Sequence, residues 1–181
     1  MVAVLMLSLL ALFQSSVLSD GQPNHADAKA ASLARDPYAP LRLYDGKWDV
    51  QPAGGDKPVE AVHLENHCAK VGEFFACNQF VNNKNKALVV FLPLHPLENG
   101  GYLYRNQALR PEGDDPSNWG SLEITGDRWV YSSDNTDKGK KTYWQTINVF
   151  SGADKIHFEV RRSEDAIKWA TTMSGDEARA K

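Results

Sequence analysis

The segment VHLENHCAKVGEFFACNQF, residues 62–80, decides the fold, because it predicts a β-hairpin whose register can be worked out. It contains both cysteines and two of the five histidines of the chain. A two-residue turn with glycine first suits the twist of paired strands, and Gly72-Glu73 provides one. This turn places Cys68 directly opposite Cys77.

The two cysteines have three interpretations. Directly opposed strand residues lie about 4.5–5.5 Å apart, which is within disulfide reach. The eight-residue gap between Cys68 and Cys77 matches no common zinc spacing, and a redox pair would favour C-x-x-C. The sequence therefore predicts a structural disulfide.

The pattern of the hairpin continues through the rest of the chain. Beyond Leu41, runs of β-branched and aromatic residues alternate with polar ones, and Gly, Asn, Asp and Pro dominate the breaks. The candidate strands are residues 46–51, 58–68, 74–81, 87–94, 101–109, 119–125, 128–133, 142–150, 155–162 and 166–173. Short loops require antiparallel neighbours, and closure removes exposed edges. We expect an all-β fold, an antiparallel up-and-down β-barrel of about nine or ten strands.

The beginning of the chain differs in composition. Residues 2–13 are uncharged and almost all apolar, and small residues follow, as in a secretory signal peptide. A run of about 12 apolar residues is too short to span a bilayer, so no stable membrane insertion is expected after cleavage. We predict a signal peptide at 1–19, a linker at 20–40, the barrel domain at 41–175 and a C-terminal tail at 176–181. The predicted location is periplasmic or secreted, where paired cysteines are usual.

Composition limits the classes of partner. The 181 residues suffice for one domain, and the 42% hydrophobic and 24% charged residues are ordinary for a globular protein. A formal net charge of −3 argues against a protein that binds nucleic acid by neutralising phosphates.

The motif YDGKW places Gly46-x-Trp48 at the start of the first strand. It resembles the opening motif of lipocalins and the wider calycin barrels, in which an arginine from a late strand packs over the tryptophan. The resemblance implies that role for Arg161 or Arg162. The second lipocalin loop motif and the C-terminal helix are missing. The chain also resembles secreted bacterial proteins of unknown function with calycin-like barrels, in the segments NHCAKVGEFFACNQFVN, GDRWVY and INVFSGADKIHFEV. This resemblance implies a fold and no activity.

Aromatic side chains in the predicted strands are candidates for lining a ligand cavity. Alternation places Tyr102, Tyr104 and Asn106 on one strand face, and Trp129 with Tyr131 on one face of another. The predicted ligand-binding residues are Tyr102, Tyr104, Trp129, Tyr131 and Trp144. The alternative is that these rings simply fill the core.

Two rows of polar residues are candidates for a metal site. His63, Glu65 and His67 share one strand face, and His157 shares another with Glu159. Zinc could be bound if the two strands were neighbours with a shared face. Haem binding through His157 is a variant of this hypothesis, and the alternative is that both rows face water.

The leading expectation is a barrel that binds a small apolar or amphipathic ligand. The alternatives are a haem- or metal-dependent enzyme or carrier and a structural envelope protein with a packed barrel. The chain contains no G-x-S-x-G, H-E-x-x-H, P-loop or dinucleotide-binding motif, which lowers the case for an enzyme. No cofactor is predicted, and haem and zinc belong to the alternatives. The oligomeric state is left open.

Overall fold

A computed structural model describes residues 36–53, 60–111, 113 and 119–181. The predicted signal peptide and residues 20–35 of the predicted linker lie outside the described residues. The described part is almost entirely β-strand, with a single short 3₁₀-helix at Pro40–Tyr44. None of the described helical structure is long and apolar enough to cross a membrane.

Ten antiparallel strands form one closed up-and-down barrel, which confirms the predicted fold class. Each strand pairs with its sequence neighbours, and β1 pairs with β10 to close the cylinder. The strands are β1 Gly46–Ala53, β2 Val62–Val71, β3 Phe74–Val81, β4 Lys84–Pro96, β5 Tyr102–Leu109, β6 Gly120–Thr125, β7 Arg128–Asp137, β8 Lys140–Phe150, β9 Lys155–Ser163 and β10 Ala170–Arg179.

The hairpin of β2 and β3 has the predicted register. Gly72 adopts a positive φ of 59° in the turn, where a side chain would be strained. Cys68 is paired with Cys77 across the two strands, and a disulfide joins them with a Cα–Cα distance of 4.0 Å. The predicted disulfide is therefore confirmed.

The last strand lies further along the chain than the predicted segment 166–173. Asp165 accepts hydrogen bonds from the backbone N–H groups of Ile167 and Lys168, and Ala166 has a positive φ of 60°. This local turn keeps residues 164–168 out of the sheet. β10 begins at Ala170 and runs to Arg179, so residues 176–179 belong to the barrel and not to a tail.

Alternation along the strands separates a core from a solvent face. The inward side chains form one hydrophobic cluster, in which Trp48 and Tyr104 are completely buried. The other buried members are Tyr38, Leu41, Val50, Leu64, Phe75, Cys77, Phe91, Leu122, Ile124, Trp129, Phe150, Ile156 and Phe158.

The segment before β1 covers one end of the barrel. The Tyr38 hydroxyl donates to the carbonyl of Glu73 at 2.9 Å, and the Tyr104 hydroxyl donates to the carbonyl of Pro37 at 2.5 Å. Leu41 of the 3₁₀-helix is 1% exposed. Residues 36–40, which the sequence assigned to a linker, therefore pack against this end, which we call the closed end.

Arg179 seals the closed end over Trp48. Its guanidinium carbon lies 4.3 Å from the centre of a Trp48 ring. The guanidinium N–H groups donate hydrogen bonds to the carbonyls of Asp45 at 2.8 Å and Leu43 at 2.9 Å. A Cβ on Gly46 would lie 2.6 Å from Arg179 Nη1, and Gly46 has φ +110°. The glycine of the Gly46-x-Trp48 motif thus gives the guanidinium its space.

The assignment of this role to Arg161 or Arg162 was wrong. Arg161 forms an ion pair with Glu159, and Arg162 lies over Trp144 at 5.9 Å. Both belong to β9, whereas Trp48 is paired with Arg179 of β10 across the seam of the barrel.

We expect Arg179→Met to lower the free energy of unfolding by about 2–3 kcal/mol, because it removes a cation–π contact and charged hydrogen bonds to carbonyls. Urea unfolding monitored by tryptophan fluorescence measures this loss. Arg162→Met is the matched control, since it removes a more exposed arginine from over a tryptophan, and it should cost no more than about 0.5–1 kcal/mol. Equal losses in the two variants would contradict a sealing role for Arg179.

Candidate functional site

An open cavity of about 400 Å³ lies within the barrel. Seven strands and the 3₁₀-helix contribute to its wall, so it occupies the interior of the cylinder. Its volume falls within the range of small-molecule sites. The lining residues are Tyr44, Cys77, Gln79, Val89, Phe91, Asn106, Ala108, Tyr131, Thr146, Asn148, Phe158, Val160, Met173 and Glu177.

The wall is mostly apolar. Phe91 and Phe158 are buried, and Val160 and Met173 pack against the core cluster. Phe158 lies over Gly175 on the neighbouring strand, where an added Cβ would come within 2.7 Å of its ring carbons. Gly175 therefore makes room for an aromatic ring against the barrel wall.

Three oxygen atoms on the cavity wall are buried without a hydrogen-bond partner among the described residues. They are Asn106 Oδ1, Asn148 Oδ1 and Glu177 Oε2. They come from β5, β8 and β10, and Asn148 and Glu177 are only 3% and 7% exposed. A buried polar atom without a partner costs about 1–3 kcal/mol, so three in one cavity require an explanation.

Glu177 is the one acidic residue among the described cavity-lining residues. In the register of β10 it lies between Val50 and Ile156, which supply no polar group. Burial raises the pKa of its carboxyl to about 7. The carboxyl therefore keeps its proton to a higher pH than an exposed glutamate does.

Two tyrosines share this environment with Glu177. Burial, followed by the nearby Glu177 carboxyl, raises the pKa of the Tyr131 hydroxyl. Tyr44 responds in the same way, with a further contribution from Tyr131. Both hydroxyls therefore stay protonated at physiological pH and are able to donate or accept hydrogen bonds.

Two other interior amides, those of Asn66 and Gln79, form hydrogen bonds within the protein. Asn66 Nδ2 donates to the Tyr44 carbonyl at 3.3 Å, and Gln79 Nε2 donates to Asn66 Oδ1 at 3.3 Å. Asn66 is fully buried, so these bonds offset its burial. The contrast shows that the barrel pairs interior amides elsewhere, which makes the three unpaired oxygens distinctive.

The five aromatic residues predicted to bind ligand lie in different places. Tyr131 lines the cavity. Trp129 is 1% exposed and packs with its ring centre 4.6 Å from that of Phe150, and its Nε1 has no partner in the described part of the chain. Trp144 is 36% exposed.

The other two, Tyr102 and Tyr104, line a separate crevice of about 470 Å³ at the closed end. Ala39, Pro40 and Leu43 form its other side. The prediction thus named one residue on the wall of the interior cavity and two on this crevice.

The histidine rows lie on the outer surface of the barrel. His63 Nδ1 contacts Asp49 Oδ1 at 2.5 Å, and His67 Nε2 lies 3.2 Å from Glu65 Oε1. The rings of His63 and His67 are 82% and 62% exposed, as side chains. The first row therefore faces water and pairs with neighbouring carboxylates.

The second row lies on β9, beyond two intervening strands. His157 Nδ1 contacts Asp176 Oδ1 at 2.8 Å, and Glu159 pairs with Arg161. β1 and β10 separate β2 from β9, and the structure does not bring the two rows together. Among the described residues there is no group of three or more His, Cys, Asp or Glu that could hold a metal ion. The exposed His157 also points away from the interior, so it does not face a haem held there.

Sequence reasoning missed the most buried polar residues of the cavity. Asn106 was placed on the face shared by Tyr102 and Tyr104, but neither Asn148 nor Glu177 was singled out. A signal existed for Asn148, because it alternates with Phe150 and Thr146 along β8. Glu177 lies in the segment that the sequence assigns to a C-terminal tail, for which no inward position is expected.

No protein-family model matches the chain, and no curated protein matches it. The fold is similar to that in the crystal structure of Rv2717c from M. tuberculosis, with 13% sequence identity and a TM-score of 0.43. The similarity covers 80% of this chain and 97% of that chain. A similarity this distant does not extend to function.

Glu177 should make stability depend on pH. The folded protein, with a carboxyl pKa of about 7, holds the proton more tightly than the unfolded chain with a value of 4.5. The stabilisation that comes from this proton is complete below the unfolded pKa of 4.5, and it is lost as the pH rises to the folded pKa of about 7. We compare the free energy of unfolding of Glu177→Gln with that of the unaltered protein. This difference should shift in favour of the variant by about 2–3 kcal/mol when the pH is raised from 5 to 8.

Urea unfolding at both pH values measures this difference. Glu123→Gln is the matched control, because it neutralises an exposed glutamate on β6 and should change the difference by no more than about 0.5 kcal/mol. A difference for Glu177→Gln that stays constant with pH would show that the carboxyl titrates normally.

Proposed function

We propose that this protein is an exported, calycin-like barrel that binds a small amphipathic molecule in its interior. The observation that carries the proposal is the cavity of about 400 Å³, whose apolar wall contains the three unpartnered oxygens of Asn106, Asn148 and Glu177. Small-molecule sites combine mainly apolar walls with a few placed polar groups. A ligand with a polar head would satisfy these oxygens and cover Phe91 and Phe158 with its apolar part.

Burial along the cavity suggests how such a ligand is oriented. Ala108 is the one lining residue that is exposed, whereas Asn148 and Glu177 are buried. The ligand enters on the Ala108 side and places its polar head against the buried oxygens. The apolar part then contacts Val89, Val160 and the aromatic wall.

Export is the second part of the proposal. The Cys68–Cys77 disulfide supports it, because structural disulfides persist mainly in oxidising compartments. The resemblance of the Gly46-x-Trp48 motif, together with an arginine over the tryptophan ring, supports the calycin assignment. A barrel of this type in the periplasm or outside the cell is suited to carry or sequester a ligand from its surroundings.

A neutral apolar fluorophore tests the binding function. N-phenylnaphthylamine should gain fluorescence on titration with the full chain, with a dissociation constant in the micromolar range or tighter, on the order of −8 kcal/mol. Val160→Phe fills part of the cavity and should weaken binding by at least about tenfold.

Val149→Phe is the matched control, because it makes the same substitution on the outer face of β8, where Val149 is 37% exposed. It should leave the affinity within about twofold. Failure of the fluorophore to bind, or equal binding by Val160→Phe, would contradict an interior ligand site and favour a barrel that only serves as a structural element.

A further inference from the structure

The unpartnered oxygens of the cavity share one chemical property. Asn106 Oδ1, Asn148 Oδ1 and Glu177 Oε2 are all hydrogen-bond acceptors. A ligand that satisfies them must bring donors. An ionised carboxylate accepts only, and a carbonyl head group brings no donor, so neither complements these oxygens.

No basic side chain of the described cavity wall supplies the missing donors. The lining residues include no Lys, Arg or His. Arg179, the nearest arginine on β10, lies over Trp48 and donates to the carbonyls of Leu43 and Asp45. Its hydrogen bonds are therefore directed at the closed end, and the part of the cavity wall that the structure describes offers the Glu177 carboxyl no cationic partner.

We propose that the cavity selects a small amphipathic amine, whose ammonium group is held by the buried Glu177 carboxyl. This inference rests on the proposed function and specifies the class of its ligand. An ammonium group supplies a hydrogen-bond donor and a positive charge to Glu177 Oε2, which has no partner among the described residues. Phe91, Phe158 and Met173 surround the apolar part, and aromatic faces favour a neighbouring cation.

Charge balance supports an amine over a neutral alcohol. A buried carboxylate without a partner is costly, and a cation that binds beside it removes that cost. Charge-assisted hydrogen bonds contribute about 1.5–3 kcal/mol, which corresponds to roughly 10–100-fold in affinity. An anionic ligand would instead be repelled by Glu177.

Binding of the ammonium form is coupled to a proton. When Glu177 is protonated, the arriving cation displaces that proton to solvent, so amine affinity rises with pH up to neutrality. The titratable groups that face Glu177 are Tyr44 of the 3₁₀-helix and Tyr131 of β7, and both stay protonated in this range. The partners from β1 and β9, Val50 and Ile156, do not titrate. Arg179 on β10 stays charged.

Three probes of matched shape test the inference: phenethylamine, phenethyl alcohol and phenylacetate. Isothermal titration of the full chain at neutral pH should show the amine binding at least about tenfold more tightly than the alcohol, with phenylacetate weakest. Lowering the pH from 7 to 5 should weaken amine binding and leave alcohol binding within about twofold.

The variant Glu177→Gln keeps the shape of the side chain and removes its charge. It should reduce amine affinity by at least about tenfold and change alcohol affinity by less than about threefold. Glu123→Gln on the outer face is the control, and it should change neither the amine affinity nor the alcohol affinity. The comparison of probes on the unaltered protein decides the matter even if the variant does not fold.

The outcomes separate this inference from the proposed function. If the alcohol or phenylacetate binds as tightly as the amine, the amine preference is wrong and the cavity remains a binding site. Amine binding that survives Glu177→Gln unchanged would also overturn it. If none of the three probes nor N-phenylnaphthylamine binds, the proposed function fails, and the amine preference fails with it.

Discussion

The contact on which the barrel depends is that of Arg179 with Trp48. It joins the last strand to the first at the seam where the cylinder closes. The guanidinium also donates to the carbonyls of Leu43 and Asp45, and to that of Ala153 in the turn before β9. One side chain therefore contacts the segment before β1, the seam between β1 and β10, and the turn between β8 and β9. A closed barrel has no sheet edge, so the stability of every strand depends on this seam holding.

Most of the fold could be predicted because each hairpin is local. Alternation gives the strand and its faces, and Gly72 or a similar turn residue gives the register, as in the Cys68–Cys77 pair. The second half of β10, beyond the predicted segment 166–173, could not be found in this way. Two of its inward positions hold Gly175, which makes room for Phe158, and Glu177, which faces the cavity. Neither is apolar, so the strand lacks the pattern that revealed the others.

The error over the arginine has the same cause. Once the segment 166–173 is taken as the last strand, the arginines available before it are Arg161 and Arg162. The true partner of Trp48 is nine residues beyond Ala170, at the end of a strand that carries few apolar residues. Pairing between the two ends of a chain is non-local, and local periodicity contains no information about it. For the candidate site, parity groups Asn106 with Tyr104 and Tyr131 with Trp129 without showing which face is inside. Only the closed structure brings Asn106 and Tyr131 to one cavity with Glu177.

The closed end contains an arginine over Trp48, whereas the described cavity wall contains no arginine. Arg179 at the closed end and Glu177 on the cavity wall both belong to β10. Arg179 and Glu177 are separated by one residue and share the inward face of β10. An ion pair between them would satisfy both charges inside the barrel. Instead, Trp48 lies against Arg179, and the guanidinium is engaged by backbone carbonyls at the closed end. Glu177 is left on the cavity side, where burial raises the pKa of its carboxyl to about 7. The contact that closes the barrel thereby holds the guanidinium at the closed end, and the buried Glu177 carboxyl is left without a basic side chain beside it on the described cavity wall.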